Sequence, residues 1–193
     1  MPSSADDALS LALDAALDRV VDGVRALDAP APLVVIDGRS GSGKTTLAAR
    51  LRDAWPFSGA PRVVALDDFY PGWGGLAAAT AITADDVLAP LAGGRTGAFR
   101  RWDWVESVPD ERVEIAPGAP LIIEGAGALS PRAAELADLT VWVDAPEQAR
   151  RTRALERDGD AYAPHWEEWA AQERAHIALH HPAALASLVI RLP

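Results

Sequence analysis

The chain has 193 residues and a mass of 20.4 kDa, which is typical of one domain with its own hydrophobic core. Its formal net charge of −10 disfavours nucleic acid and anionic membranes as partners, because both select for basic surfaces. The absence of cysteine excludes disulfides and thiolate chemistry, and no apolar run approaches the roughly 20 residues of a membrane helix. We therefore expect a cytoplasmic protein with no nucleic-acid or membrane partner, and its oligomeric state stays open.

The first predicted element is an amphipathic helix within residues 1–29. Apolar residues recur every three or four positions from Leu9 to Leu27, while Asp14, Asp18 and Asp22 fall on another face. Two prolines after this helix lead into residues 33–36, a continuous apolar run typical of a strand that is covered on both sides.

Four further apolar runs, at residues 62–66, 120–123, 139–143 and 187–190, predict buried strands. Helical stretches precede or separate most of them, and this alternation predicts an α/β fold with a five-stranded parallel sheet flanked by helices. No repeat or linker is visible, so we expect a single domain over residues 1–193. Residues 70–118, approximately, are irregular and rich in Gly, Trp and Arg, which indicates an insertion.

Shorter signals predict where several helices begin. The segment from Thr83 to Asp86 resembles a capping box, which predicts a short helix from there to about Leu91. Ser130 and Pro131 have the residue types of an N-cap and a first helical position. Residues 146–185, approximately, are helical in pattern with one break near 159–164, and the four histidines of this region are expected on helix surfaces.

One motif carries clear chemistry. The segment Gly38-Arg-Ser-Gly-Ser-Gly-Lys-Thr45 matches GxxxxGK[ST] between a predicted strand and a predicted helix, the arrangement of a P-loop. In such a loop the backbone N–H groups and the helix N-terminus bind phosphates, the lysine reaches the β and γ phosphates, and the hydroxyl binds Mg²⁺. The predicted nucleotide-binding residues are Gly38, Ser40, Gly41, Ser42, Gly43, Lys44, Thr45 and Thr46.

Two classes of P-loop protein do not fit the sequence. GTPases recognise guanine with an Asn-Lys-x-Asp segment, and this chain has no asparagine and only one lysine, Lys44. Residues 91–95 resemble the ABC ATPase signature only superficially, because the strand near residue 121 lacks the Asp-Glu pair of that class. A Gly-rich turn after a helix explains these five residues equally well.

Acidic residues follow two of the predicted strands. Asp67 and Asp68 end the second strand and Glu124 ends the third, at the sheet edge where α/β proteins bind ligands. One carboxylate there can accept a proton from an attacking hydroxyl, and others can hold Mg²⁺ or its water shell. The alternatives are an N-cap for the aspartates and an ordinary strand-end acid for Glu124.

Three arginines lie on one face of a predicted helix. Arg150, Arg153 and Arg157 follow each other at spacings of three and four, which aligns them. Near a triphosphate such a row can stabilise the charge of the transferring phosphoryl group. The alternative is a solvated helix face.

Taken together, these segments resemble the family of uridine kinase, pantothenate kinase and phosphoribulokinase, which are P-loop kinases. The matching segments are the P-loop to Thr46, Asp67 to Tyr70, Trp102 to Trp104, residues 121–125 and residues 143–158. The resemblance implies a P-loop NTPase fold of the nucleoside-monophosphate-kinase type, with an acceptor-side insertion and a helical lid at about 146–165. It also implies that Asp67 is the general base, that Asp103 contacts the acceptor hydroxyls, that Glu124 serves Mg²⁺ and that the arginines belong to the lid.

The lid and the last strand depart from the family pattern. Residues 159–164 contain no basic residue where uridine kinases have an Arg-Gly-Arg element, and Ser187 stands where the family tends to have an aspartate. Around Asp103, Trp102 and Trp104 could stack a ring of the acceptor, or they could simply pack the insertion.

We expect an ATP- and Mg²⁺-dependent kinase that phosphorylates a hydroxyl group of a small metabolite. A nucleoside such as uridine is the first acceptor to test, and cytidine, pantothenate and sugar phosphates stay open. The alternative is a P-loop ATPase or nucleotide-binding regulatory protein without an acceptor. The assigned roles are catalysis for Lys44, Asp67, Arg153 and Arg157, nucleotide binding for Arg150 and the P-loop, acceptor binding for Asp67, Tyr70, Trp102, Asp103 and Trp104, and metal binding for Thr45, Asp68 and Glu124.

Overall fold

A computed structural model of the chain describes residues 4–193, with side chains from residue 7 onward. The first three residues of the predicted N-terminal segment lie outside this range. In chain order the strands are β1 (Leu33–Gly38), β2 (Arg62–Ala65), β3 (Gly97–Asp103), β4 (Val108–Ile115), β5 (Leu121–Gly125), β6 (Leu139–Asp144) and β7 (Leu188–Arg191). The α-helices are α1 (Ser4–Arg25), α2 (Lys44–Asp53), α3 (Leu76–Ala81), α4 (Ala89–Ala92), α5 (Pro131–Leu136), α6 (Glu147–Tyr162), α7 (Trp166–His180) and α8 (Pro182–Leu185).

The five predicted buried strands form one parallel sheet in the order β2-β5-β1-β6-β7, which confirms the predicted fold class. Chain order reverses at β1, whose neighbours are β5 on one side and β6 on the other. Ligands of open α/β sheets bind beyond the carboxyl end of the strands at this reversal. The register sets Ala65, Glu124 and Ile36 side by side there, and it brings the ends of three strands to one crevice.

Helices cover both faces of the sheet because the strand residues are apolar on both sides. Val34, Ile36 and Ile122 pack against α1 and α2, while Val35 and Ile123 pack against the layer that contains α5 and α7. The apolar runs of the sequence therefore form the centre of a three-layer structure. None of the helices in residues 4–193 has the length and apolarity needed to cross a membrane.

The predicted insertion consists of a helical rod and a hairpin. The rod runs from α3 through a π-helical segment, Ile82–Leu88, into α4, and β3 and β4 pair antiparallel after it. The expected helix start at Thr83 is wrong, since the chain is already helical from Leu76 and Thr83 is buried inside the rod. Its hydroxyl therefore caps nothing, and the local pattern is overridden by the preceding turn of helix. Ser130, in contrast, caps α5 as expected by accepting the Ala133 N–H.

The helical pair α6 and α7 spans the expected lid and the segment after it. Helical geometry breaks at Gly159, which has φ 52° and ψ −134°, and a 3₁₀ turn, Ala163–His165, precedes α7. Gly159 is the first residue of the break that the sequence predicts near residues 159–164. It turns the chain so that α7 packs its Trp166 and Trp169 into the core below the crevice.

Candidate active site

The P-loop joins the carboxyl end of β1 to the first turn of α2. Gly41 has φ 73°, and a Cβ on it would collide with the Arg150 carbonyl group. Gly43 has φ 98° and is the N-cap residue of α2. Both positions favour glycine because the backbone is left-handed there, and Gly41 also lies directly against α6. The resulting turn directs the N-terminus of α2 towards the crevice, as a phosphate site requires.

A cavity of about 200 Å³, the P-loop pocket, opens over this turn. Its lining residues are Gly41, Gly43, Lys44, Thr45, Thr46, Arg153 and Arg157. The structure thus brings five of the predicted nucleotide-binding residues together with two of the three arginines. Gly38 at the end of β1, and Ser40 and Ser42 in the loop, do not line the pocket.

Arg153 and Arg157 reach this pocket from α6 in different states. Arg153 donates from Nε to the Ala149 carbonyl and from Nη2 to the Pro193 carbonyl, while Nη1 has no partner among the described residues. Arg157 donates from Nε and Nη2 to the two carboxylate oxygens of Asp158, at 2.8 and 2.7 Å. This hydrogen bonding raises the pKa of Arg157.

Arg150 does not extend into the P-loop pocket, in contrast to its predicted contact with nucleotide. Its side chain is 1% exposed, and its Nε and Nη1 donate to the carbonyl oxygens of Ala145 and Ser40. The first turns of α6 pack directly against the P-loop at Ser40 and Gly41, and this contact encloses Arg150. Arg150 supports the loop from behind.

A second buried residue, Glu173 of α7, holds the same part of the loop. Its Oε1 accepts the Ser40 N–H at 2.6 Å, and its Oε2 accepts the Arg39 Nε–H at 3.1 Å. Ser40 is therefore fixed at its N–H by Glu173 and at its carbonyl group by Arg150. We call Arg39, Ser40, Arg150 and Glu173 the P-loop clamp. Buried charges are stable in such a place only when they are paired.

The carboxylate of Asp37, directly before the P-loop, forms a further buried network. It accepts N–H groups from Gly38, Gly127 and Leu129, at 2.6 to 2.9 Å. His176 Nε2 lies 3.1 Å from the Leu129 carbonyl oxygen and 3.3 Å from Asp37 Oδ2. Both neighbours are oxygen atoms that can accept a hydrogen bond, so the tautomer with its N–H at Nε2 fits this position. The expected surface position is wrong for His176, which is 6% exposed and connects α7 to β1.

Oxygen ligands suited to Mg²⁺ meet where Thr45, which lines the P-loop pocket, contacts the buried Glu124. Thr45 Oγ1 donates to Glu124 Oε2 at 3.1 Å. Burial raises the pKa of Glu124, and Lys44 and the Thr45 hydroxyl oppose this effect. The described residues hold no cluster of three or more His, Asp or Glu side chains arranged for a metal. The pair therefore fits a Mg²⁺ ion that takes most of its ligands from phosphate and water, as Mg²⁺ commonly does.

A second cavity of about 170 Å³, the aromatic pocket, adjoins the first. Its lining residues are Asp67, Tyr70, Trp73, Trp104, Arg157, Asp158, Tyr162 and Trp169. Trp73 lies at its centre, with ring centroids 4.2 Å from His165, 5.0 Å from Trp104 and 5.5 Å from Tyr162. Insertion and lid thus meet through aromatic rings, and the predicted base Asp67 is exposed among them.

The predicted acceptor-binding residues are only partly brought together. Trp104 lines the aromatic pocket and donates from Nε1 to the Asp67 carbonyl oxygen at 2.9 Å. Tyr70 also lines the pocket, but its hydroxyl group donates to Ala126 O and is buried, which raises its pKa. Asp68, which was predicted as a metal ligand and not as an acceptor contact, is half-buried beside Asp67 and lines neither pocket.

Asp103 and Trp102 lie elsewhere in the hairpin. Asp103 Oδ1 accepts the N–H groups of Val105 and Glu106, so its carboxylate stabilises the β3–β4 turn. β3 ends at Asp103, so Trp102 lies in the strand whereas Trp104 lies in the β3–β4 turn. Neither Asp103 nor Trp102 lines the aromatic pocket, in contrast to the predicted contact with the acceptor.

Sequence reasoning missed the residues that support the site from below. Glu173, His176 and Asp37 carry no motif, and their buried partners are distant in sequence. Trp73 and Tyr162 were also missed as pocket residues. The one available signal was the concentration of tryptophan in residues 73–169, outside the central strands.

The strand order, the P-loop and the helical layers define the fold of the P-loop kinases. No protein-family profile matches the chain, and no curated protein sequence matches it significantly. Among solved structures, a possible uridine kinase from Bacillus stearothermophilus is similar, with a TM-score of 0.65 and 18% identity over 92% of this chain and 98% of that one. A candidate fructose transport system kinase from Silicibacter sp. TM1040 has a TM-score of 0.60 and 22% identity over the same shares of the two chains. At this level of identity the comparison confirms the expected fold.

Proposed function

We propose that the protein is an ATP- and Mg²⁺-dependent kinase that phosphorylates a hydroxyl group of a small metabolite. The observation that carries this proposal is that Arg157 lines both the P-loop pocket and the aromatic pocket. A phosphoryl donor in the first pocket and an alcohol in the second would therefore meet at one guanidinium group. Asp67 lies on the acceptor side of this junction.

The donor side has the groups that a nucleoside triphosphate needs. The backbone of the P-loop and the N-terminus of α2 would bind its phosphates, and Lys44 would neutralise the β and γ charges. Arg153 Nη1, which has no partner among the described residues, would donate to the phosphates, and Arg157 would stabilise the charge of the transferring group. Thr45 and Glu124 would hold Mg²⁺, which supplies charge neutralisation at the phosphates when bound.

On the acceptor side, Asp67 would serve as the general base. The acceptor oxygen forms a bond to the γ phosphorus while the bond between that phosphorus and the bridging oxygen of ADP breaks. The hydroxyl proton passes to the Asp67 carboxylate. Because the Trp104 indole binds the Asp67 carbonyl group, the hairpin fixes the backbone of the base. Positioning of this kind lowers the entropic cost of bringing the acceptor to the phosphate.

A nucleoside such as uridine is our first acceptor candidate. The aromatic rings of the pocket support it, since a flat base can pack against Trp104, Trp73 or Tyr162 while a ribose hydroxyl faces Asp67. A P-loop ATPase or a nucleotide-binding regulatory protein has no need of an aromatic pocket next to its phosphate site.

The test of this proposal is a screen of hydroxyl-bearing metabolites for acceptor-dependent ADP release. ATP labelled in the γ-phosphate identifies the product, because the label moves to the acceptor in a kinase and to inorganic phosphate in an ATPase. We expect at least one small alcohol to become labelled. If ADP release never depends on an added alcohol, the ATPase or regulatory alternative takes the place of the kinase.

Asp67→Asn tests the assignment of the base. Removing a general base typically lowers the rate by about 10²- to 10⁴-fold, whereas an amide of similar shape leaves ATP binding nearly intact. The matched control is Asp68→Asn, which changes the same charge one residue away and should cost less. Phosphorylation of the acceptor by Asp67→Asn at the wild-type rate would contradict the mechanism.

A further inference from the structure

The charges around the aromatic pocket leave no free cation for an anionic acceptor. Asp67 and Asp158 are acidic, and Arg157 is the one Lys or Arg side chain among the described residues that line the pocket. Both oxygens of Asp158 already bind this guanidinium. The remaining walls are the rings of tyrosine and tryptophan, which attract cations and flat uncharged groups.

Binding of ATP would make the aromatic pocket more negative. Arg157 also lines the P-loop pocket, where the phosphates carry more negative charge than any acceptor. When Arg157 turns to the phosphates, the aromatic pocket keeps the charges of Asp67 and Asp158. A carboxylate or phosphate on the acceptor would then face like charges, whereas proteins normally hold such groups with arginine or lysine.

We infer that the aromatic pocket accepts alcohols without negative charge, uncharged or cationic, and rejects anionic ones, with Asp158 as a specificity-determining residue. This inference rests on the proposed kinase function and narrows its acceptors. It removes sugar phosphates, hydroxy acids and pantothenate from the candidates that the sequence leaves open. It keeps nucleosides, neutral sugars and amino alcohols.

The test uses pairs of acceptors that share a free hydroxyl group and differ in one anionic group. Suitable pairs are uridine with uridine 3′-monophosphate, pantothenol with pantothenate, and glycerol with glycerate. In each pair that supports turnover, we expect kcat/KM to be at least about 10-fold higher for the uncharged member, because placing like charges next to each other costs several kcal/mol. An equal or higher kcat/KM for the anionic member would overturn the inference and leave the kinase proposal standing.

Asp158→Asn tests the role of the named residue. The variant also frees Arg157 and therefore changes ATP binding, but this effect cancels in the ratio of kcat/KM between the two members of a pair. We expect the preference for the uncharged member to fall by about 10-fold. The matched control is Glu156→Gln, an exposed acid on the same helix outside the pocket, which should leave the ratio unchanged. An unchanged ratio in Asp158→Asn would show that Asp158 does not determine the preference for uncharged acceptors.

A binding measurement separates failure of the inference from failure of the kinase proposal. Tryptophan fluorescence reports on the pocket without turnover, since Trp73, Trp104 and Trp169 line it. If no compound is phosphorylated, the kinase proposal fails, and titration with the same pairs still decides the charge preference. Tighter binding of the anionic members would overturn the inferred charge preference, and tighter binding of the uncharged members would support it.

Discussion

The two pockets are built by different kinds of interaction. Below the P-loop pocket, the clamp of Arg39, Ser40, Arg150 and Glu173 consists of buried charges and backbone groups. Around the aromatic pocket, rings of the insertion and the lid stack on one another, and the charged groups are largely exposed. The hydrogen bonds of the clamp hold the P-loop backbone in one position, because they depend on distance and direction. The aromatic packing depends less on direction and tolerates substitution of one ring by another.

This difference fits what each pocket would bind. A triphosphate has the same shape in every reaction, so a rigid and pre-organised loop suits it. Acceptors differ between kinases of one fold, so a pocket made of replaceable side chains on an insertion can change without disturbing the sheet. Substitutions on the two sides should therefore produce separable effects on ATP and on the acceptor.

On the nucleotide side, the largest effect is expected from Lys44→Ala. Lys44 lines the P-loop pocket and is 8% exposed, so its loss removes a charge from the phosphates. We expect turnover to fall by at least about 10²- to 10³-fold. The measurement is ADP release with the acceptor present, and the thermal midpoint of unfolding should stay close to that of the wild type. Wild-type ATP consumption by the variant would show that the P-loop assignment is wrong.

Glu173→Gln breaks the clamp without changing its shape. Glu173 is 3% exposed and balances the charges of Arg39 and Arg150, so the amide leaves two guanidinium groups poorly paired. We expect the free energy of unfolding, measured with urea, to fall by about 1.5 to 3 kcal/mol. We also expect the KM of ATP to rise by a larger factor than the KM of the acceptor. The control is Glu168→Gln in the first turn of α7, where the acid is exposed. Equal stability of both variants would contradict a structural role for the clamp.

On the acceptor side, Trp73→Ala removes the ring at the centre of the aromatic pocket. The stacks with His165 and Tyr162 and the contact with Trp104 are lost together. We expect the KM of the acceptor to rise by about 10- to 50-fold, the equivalent of one or two aromatic contacts, while the KM of ATP changes by less than about twofold. Trp55→Ala removes an indole that packs in the opposite layer and should not change the acceptor KM. Equal changes in both KM values for Trp73→Ala would refute the separation of the two pockets.

The sheet and the P-loop could be predicted because their signals are local. Each buried strand is a continuous apolar run, and the residues from Gly38 to Thr45 form one unbroken motif. The position of Asp67 and Glu124 at one edge of the sheet could be predicted by the same logic, since acids at the ends of parallel strands lie at the same edge.

The supports of the site could not be predicted, because they depend on packing between distant segments. Glu173 meets Ser40 across 133 positions, and a glutamate on a helix has the same local pattern whether it is buried or solvated. Arg150 shows the same limit, because its spacing aligns it with Arg153 and Arg157 but does not reveal that its end of α6 is enclosed. In the hairpin, the sequence did not reveal that β3 ends at Asp103, which leaves Trp102 in the strand and Trp104 in the turn.

The smallest effect is expected at Thr45, the predicted Mg²⁺ ligand, because water and phosphate would supply the other ligands of the ion. Thr45→Ala removes a hydroxyl group that donates to Glu124, while other ligands of Mg²⁺ would come from ATP and water. We expect the Mg²⁺ concentration for half-maximal activity to rise by about 3- to 10-fold, which corresponds to roughly one hydrogen bond. Thr45→Ser keeps the hydroxyl group and should restore the wild-type requirement. Because Lys44→Ala would lower activity at every Mg²⁺ concentration, the two variants distinguish loss of a metal ligand from loss of phosphate binding. An identical Mg²⁺ titration for Thr45→Ala and the wild type would show that the hydroxyl group only orients Glu124.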